Sequence, residues 1–464
     1  MTKPGRVAAL PHAQGTTAPR AAIRPVARVR PDVRDSASAM LIPVVLILIA
    51  VLCGGVVAYG THPVWAQYDR GVDFIMAARR VQWPLVALSI ILCLALIALV
   101  ISGRRRAWWL IGLAPVLVMF VHRFASDPYG QLKITDDPAF IAADAAEAWP
   151  GEMPVVGVQY AGGTFAYPVA ALDRSPVIIQ AVHEKHLMLL WSPAAGRATA
   201  SAIERQLKAR DLEIVSAPAG TLLVYDGRLG QFITVLTGQT PQRQKPVGFL
   251  TPVPTARTTW KQWHTAHPDT TVMTMPPDAD KPLRPLPDAP LPPVMSKQLA
   301  PETSVTIISG GKRPIAVLSK QVTTAPLNVR VGEVAALIFR DPQTGELRAF
   351  DRRLEEDLIP TFRVNRDPKR KGAAFYDPDT ASGWDVHGVV VAGKKEFKDR
   401  RLQPLQVEEG LPWGIMKYWY PELELVTDKA ITTLPVDEAQ PSADSPTQGG
   451  KVNARKPRAR TPAR

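Results

Sequence analysis

Residues 158–172 read "VQYAGGTFAYPVAAL". Two short runs rich in Val, Ala and aromatics flank a pair of glycines. Runs of this length, bounded by Gly, Pro, Asp or Ser, read as β-strands. The pattern continues downstream with "VIIQAV", "LMLLW", "LLVYD" and "FITVL". An echo at 307–320, "IISGGKRPIAVLSK", opens a second series with "LNVRV", "VAALIF", "LRAF" and "GVVVAG". Two stretches are less clear. "SAIERQLKARDL" (201–212) has helical spacing, and "FDRRLEEDLI" (350–359) fits either helix or strand.

The two series share landmarks in order. Gly162 matches Gly310, and the chain then runs 34 residues to Gly196 in one series and 35 to Gly345 in the other. Tyr225–Asp226 matches Tyr376–Asp377, and Trp260 stands eight residues before Pro268 as Trp413 stands eight before Pro421. An ordered set of matches at near-constant offset reads as an internal repeat. The expected modules are 153–273 and 303–428, each long enough for its own core. Between them, residues 274–302 include "MPPDADKPLRPLPDAPLPPVMSKQLAPE", whose nine prolines suit an extended, semi-rigid linker.

Upstream, "AMLIPVVLILIAVLCGGVVAYG" (39–60) and "WPLVALSIILCLALIALVISG" (83–103) hold no charge and are long enough to cross a bilayer. "WWLIGLAPVLVMFV" (108–121), extended to about residue 124, makes a third expected span, with Trp108 and Trp109 at an interface. The fold class is therefore an N-terminal α-helical transmembrane anchor of about three spans (39–125), followed by a mainly-β (α+β) exterior region of two repeated modules. Arg104, Arg105 and Arg106 join spans two and three. The loop between spans one and two mixes Arg70, Arg79 and Arg80 with Asp69 and Asp73. The positive-inside rule then places the N-terminus in the cytoplasm and the modules outside, in a multi-pass protein of the bacterial cytoplasmic membrane.

The formal net charge of +13 sits in the two ends. Residues 1–38 carry seven Lys/Arg against Asp32 and Asp35, and residues 439–464 carry six against Asp444. Both ends, 1–38 and 434–464, read as disordered basic tails. The basic tail segments hold no aromatic, which argues against nucleic-acid binding. The two cysteines, Cys53 and Cys93, lie inside the apolar spans. A disulfide framework, a thiolate metal cage and an exterior cysteine nucleophile are therefore excluded.

In these landmarks the chain resembles a bacterial family catalogued as domain of unknown function 3179, over residues 153–273 and again over 304–427. The second copy resembles it in "LIFRDPQTGELRAFDRRL" and "AFYDPDTASGWDVHGVVVAGKKEFKDRRLQPLQ", the first in "PVVGVQYAGGTFAYPVAAL". Members usually carry a His shortly after the Tyr-Pro strand and a Cys-Pro-x-Cys-Gly turn after the next strand. An imidazole and two thiols would suit a soft metal or a redox centre. On that pattern Ser175 stands at the His position, and Ser192 and Ala195 of "WSPAAG" stand at the Cys positions. "FRDPQTG" (339–345) lacks both thiols as well. The resemblance thus implies a site whose backbone is kept and whose reactive groups are gone, with no cofactor.

The expected function is a non-catalytic binding or scaffold module, its partners the lipid bilayer and another envelope protein or polymer. The binding candidates are Ser192, Tyr225, Asp226, Trp263, Tyr376, Asp377 and Trp419. The two aspartates equally suit strand-end turns, and Trp260 and Trp413 suit core packing. A rival reading is a metal-dependent or redox enzyme built on Asp226 and the pairs His183/His186 and His264/His267 in "HEKH" and "HTAH". The position of His267 is matched by Tyr420, which favours an aromatic packing role there. A third reading is an accessory membrane subunit, with Cys53, Gly54 and Gly55 permitting close helix approach. No phosphate loop, nucleophile elbow or His-Glu-x-x-His helix occurs.

Overall fold

The computed structural model describes residues 33–432 apart from 103–106, 205–206, 242–247, 249, 278, 280, 293–297, 310–312, 356–357 and 428–429. The C-terminal basic tail, the Arg104–Arg106 loop and the Gly310 landmark lie outside the described residues. So does the N-terminal tail up to residue 32, and the first helix begins inside the segment expected to be disordered.

Three helices dominate the N-terminal region: α1 (Val33–Tyr59), α2 (Gly71–Ile101) and α3 (Leu113–Ala125). By length and composition three segments can cross a membrane: Met40–Tyr59, Gly71–Ile101 and Ala107–Gln131. The chain divides into two compact units, and the first contains residues up to Gly55 together with Trp83–Val121. Within it, Leu41, Leu52, Ile91, Leu94 and Leu117 are exposed, as lipid-facing residues must be. Glycine allows close approach at two places. A Cβ on Gly112 would fall 2.3 Å from Ile47 Cδ1, and one on Gly54 would meet Met119 Sδ at 3.3 Å. Gly55 meets nothing within 4 Å in this chain.

The second unit holds Val56–Gln82 and everything from His122 onward. α2 therefore starts twelve residues before the apolar run read from sequence. Its first turns carry Ile75 and Met76 into a cluster with Val215, Leu223 and Phe232.

The opening motif folds as a hairpin. Pro154–Tyr160 pairs with Gly163–Pro168 across Ala161 and Gly162, both at positive φ (51° and 81°). The strand ends at Pro168, and "VAAL" begins a short helix, α4 (Val169–Arg174), rather than extending it. Proline at the helix start fixes φ and lacks a donor that the helix would leave unpaired anyway. Thr255–Thr259 lies antiparallel to Pro154–Tyr160, then α5 (Trp260–Ala266) leads to Thr271–Met273, which runs parallel to Gly163–Pro168. A second sheet follows the order Ile134–Asp136, Val177–Val182, Lys185–Ser192, Arg197–Ile203, Leu250–Val253. A third, smaller one joins Leu212–Ser216, Leu223–Asp226 and Gln231–Thr234.

The C-terminal half is wired in the same way. Ser304–Ser309 pairs with Ile315–Leu318, Gln406–Pro412 returns antiparallel to the former, and α6 (Trp413–Trp419) precedes Glu424–Leu425, parallel to the latter. Leu327–Val331, Val334–Arg340 and Leu347–Asp351 form the matching meander. Among its described residues, the stretch 201–212 forms no α-helix. Its first residues complete the strand Arg197–Ile203, held between Lys185–Ser192 and Leu250–Val253, and only Ala209–Asp211 forms a 3-10 turn. Two-sided ladder pairing there outweighs local helical spacing. In "FDRRLEEDLI" (350–359) the first two residues end the strand Leu347–Asp351, and the other described residues lie outside helix and strand.

The described parts of the proline-rich segment stay out of the sheets, lying on the first half around Leu283 and on the second around Leu299. Leu283 and Leu286 pack on the core of the first half, and Gln131 exchanges two 2.8 Å hydrogen bonds with the Arg284 backbone.

Candidate functional site

The positions singled out by the "WSPAAG" turn converge at one end of the second sheet. Val177 pairs with Leu190, and the ladder continues with Trp191 N–H donating to Pro176 C=O at 2.8 Å. That register sets Ser175 opposite Ser192, one step beyond the strand. Both serines are buried, and so is Ala195. Ser175 accepts from the Thr135 hydroxyl at 3.1 Å, whereas the Ser192 hydroxyl meets no protein partner.

Residues of the second half close over this turn. Ala195 belongs to an apolar cluster with Leu236, Val305, Leu411 and Trp413. Gly220, at φ +75°, brings Ala194 and Ile415 of α6 together: a Cβ added there would lie 3.3 Å from one and 3.2 Å from the other. Beside the turn, the Arg197 guanidinium is paired with Glu408, Nη2–H donating to Oε1 at 2.7 Å and Nε lying 2.5 Å from Oε2, and Nη1–H donates to the Tyr420 hydroxyl at 2.9 Å. Burial alone would push this guanidinium down, but Tyr420 and Glu408 outweigh it and hold it charged. A hydrogen bond between two charged groups is stronger than one between neutral groups.

The equivalent turn of the second half is fastened differently. Buried Asp341 accepts from the Gln343 and Thr344 amides at 2.9 and 3.3 Å, and lies 3.4 Å from the Arg348 guanidinium. Its carboxylate fixes the loop as an Asx-turn.

The other residues read from sequence are scattered. Asp226 is buried and accepts from the Arg228 and Leu229 amides at 2.9 and 3.2 Å. Asp377, also buried, accepts from the Thr361 and Thr380 amides at 2.9 Å and from the Thr380 hydroxyl at 2.5 Å. Tyr225 stacks near Phe232 with the Arg79 guanidinium 4.7 Å above its ring, and Tyr376 lies 3.5 Å beneath that of Arg370. Trp263 is buried, its Nε1–H donating to Thr270 Oγ1 at 3.0 Å. Trp419 is buried in the same cluster as Ala195. Neither tryptophan offers a face to solvent.

These contacts give the aspartates a structural task. Asp377→Ala should cost about 1–3 kcal/mol, since buried donors lose a charged acceptor. Asp377→Asn should recover part of that, read as a shift in the urea midpoint of the purified chain.

The histidines do not converge. His183, at φ +56°, and His186 occupy a hairpin turn and the strand after it, not a shared helical face. His264 stacks on Trp260 at 4.9 Å and His267 packs against Trp263 at 4.2 Å, within 3.1 Å of the Gln159 amide. Among the described residues no group of three or more His, Cys, Asp or Glu is placed to hold a metal ion. Cys53 and Cys93 lie on α1 and α2.

A family model described as "Protein of unknown function (DUF3179)" matches residues 131–422, more than half of the chain. The chain belongs to the DUF3179 family. The match runs through both halves of the β region in one stretch. No curated protein and no solved structure matches the chain. At the three positions singled out by the resemblance, this chain holds Ser175, Ser192 and Ala195. Two serines and an alanine offer no thiolate and no imidazole. Sequence reasoning missed Arg197, Glu408 and Tyr420, the charged contact between the halves. Its only trace was an arginine directly after the Gly196 turn and adjacent glutamates in "VEEG".

Proposed function

We propose that this DUF3179 protein is a membrane-tethered, extracytoplasmic binding or scaffold protein. Its two β-rich halves, divergent copies of one module, hold an envelope protein or polymer and carry out no reaction of their own. One observation carries the reading. The ladder register carries Ser175 opposite Ser192 at one sheet end, and the turn that follows buries Ala195 among residues of the second half, so these three stand where the family resemblance points to a reactive set. A soft metal or redox centre needs thiolates or imidazoles at that point.

The shared wiring of the two halves supports the duplication. Three spans are supported by parity. Residues 56–82 and the β region from residue 122 onward belong to one compact unit. A chain that leaves this unit along α2 and returns to it after α3 crosses a bilayer twice. Within that unit Arg79 is paired with Glu213, and Arg80 packs over the Phe232 ring. Two of the three arginines between spans one and two, Arg79 and Arg80, therefore have partners in this unit. Arg104–Arg106 remain as the basic short loop that favours the cytoplasmic side.

Elemental analysis of the full chain, purified in mild detergent, should find only substoichiometric transition metal. A stoichiometric ion, or redox turnover by the same preparation, would overturn the non-catalytic reading. A phosphatase reporter fused after residue 464 should be active outside the cytosol, and activity confined to the cell interior would overturn the placement.

A further inference from the structure

We infer that the turn Asp226–Gln231 is a second membrane contact: Leu229 enters the headgroup layer and Arg228 and Arg210 bind anionic lipid phosphates. The inference rests on the membrane-tethered reading above and extends it to a defined surface of the β region.

Two helices mark the level of the boundary. On α2 the last charge before the apolar run 83–103 is Arg80, and after the apolar run 108–121 the first full charge is Arg123 of α3. Cationic residues flanking apolar spans sit where lipid gives way to water. Both boundary positions grip the same small sheet. Arg79, next to Arg80, pairs with Glu213, and Arg123 lies 4.0 Å from that carboxylate. Arg80 covers the Phe232 ring at 5.3 Å and donates to Gly230 C=O at 3.4 Å.

The sheet register says which end of the sheet this is. Asp226 pairs with both Gln231 and Leu212, so the 227–230 turn and the Ala209–Asp211 turn project from the same edge, joined by Gly227 N–H to Asp211 C=O at 2.8 Å. Higher up the same strands, Leu223 packs with Ile75, closer to the start of α2. The hairpin thus descends alongside α2, and its tip is level with Arg80. At that tip Leu229 is 45% exposed and the Arg228 side chain 58% exposed, while Arg210 is also exposed. An exposed leucine flanked by exposed arginines is the composition of an interfacial membrane contact. Asp211, 3.6 Å from Arg228, offsets part of the charge.

The test uses the full chain with Cys53→Ala and Cys93→Ala, reconstituted into nanodiscs of phosphatidylcholine with or without phosphatidylserine. A single Leu229→Cys carries an environment-sensitive fluorophore. Val391→Cys serves as reference, because Val391 is 44% exposed on a strand of the second half. Headgroup-labelled nitroxide lipid should quench the fluorophore at 229, more so with phosphatidylserine, and leave that at 391 unaffected. Arg228→Ala or Arg210→Ala should each lower the phosphatidylserine-dependent quenching by about five-fold. Equal quenching at both positions, or a blue shift at 229 without lipid quenching, would overturn the inference while leaving the tether intact. Failure of the chain to enter discs at all would overturn both.

Discussion

Arg197→Ala is expected to destabilise the β region by about 3–5 kcal/mol, the loss typical of stripping one partner from a buried ion pair. Among the described residues the Glu408 carboxylate would keep the Gln406 amide at 3.2 Å, and the Tyr420 hydroxyl would lose the Arg197 donor. A carboxylate in a closed interface without its counter-charge is costly. Removing both charges is a different experiment. An Arg197→Met, Glu408→Leu double variant leaves no orphan and should recover most of the loss, as apolar replacement of buried pairs commonly does. Chemical denaturation of the detergent-solubilised chain, followed by tryptophan fluorescence, reads both variants. Because the side chains are largely buried, the wild-type value should change little between low and high salt. A single variant within about 1 kcal/mol of wild type would show that the pair behaves as a surface contact. The halves would then be held by the apolar cluster alone.

What sequence could and could not reveal follows from the range of the forces involved. Hydrophobic runs and turn residues act locally, so the spans and the strand series were legible from residues 39–60 and 158–172 onward. Gly162 marked the hairpin because glycine adopts positive φ without a steric penalty, whereas the strand's end at Pro168 was not foreseen and "VAAL" turns into a helix. Tertiary pairing was not legible at 201–212, where the ladder on both sides converts a helical spacing into a strand. Nor was the start of α2 legible, since Ile75 and Met76 are apolar for the sake of the β region rather than of lipid. The site shows the same division. The family resemblance singled out Ser175, Ser192 and Ala195, and the ladder register, illegible in sequence, sets the first two opposite each other. The Arg197–Glu408 contact spans more than two hundred residues of sequence, and no local pattern encodes it.

Gly157→Ala tests the packing that takes Trp263 out of the ligand-binding candidates. The added Cβ would fall 2.3 Å from Cε3 and Cζ3 of that indole, so the ring must move. It cannot move freely. Trp263 is buried, its Nε1–H is bound to Thr270 Oγ1 at 3.0 Å, and His267 covers it at 4.2 Å. Overpacking of this kind costs about 1–3 kcal/mol, and displacing the ring should forfeit roughly another 1 kcal/mol with the hydrogen bond. A combined loss of about 2–4 kcal/mol is therefore expected. Trp263→Leu alone should also destabilise, but the pair Gly157→Ala with Trp263→Leu should cost less than the sum, because the smaller side chain makes room for the methyl. That non-additivity in a double-mutant cycle is the signature of direct contact. Additive losses, or an unchanged Gly157→Ala variant, would mean that the indole already leaves its place over the strand. Trp263 would then be free to face a ligand, as expected of it among the binding candidates read from sequence.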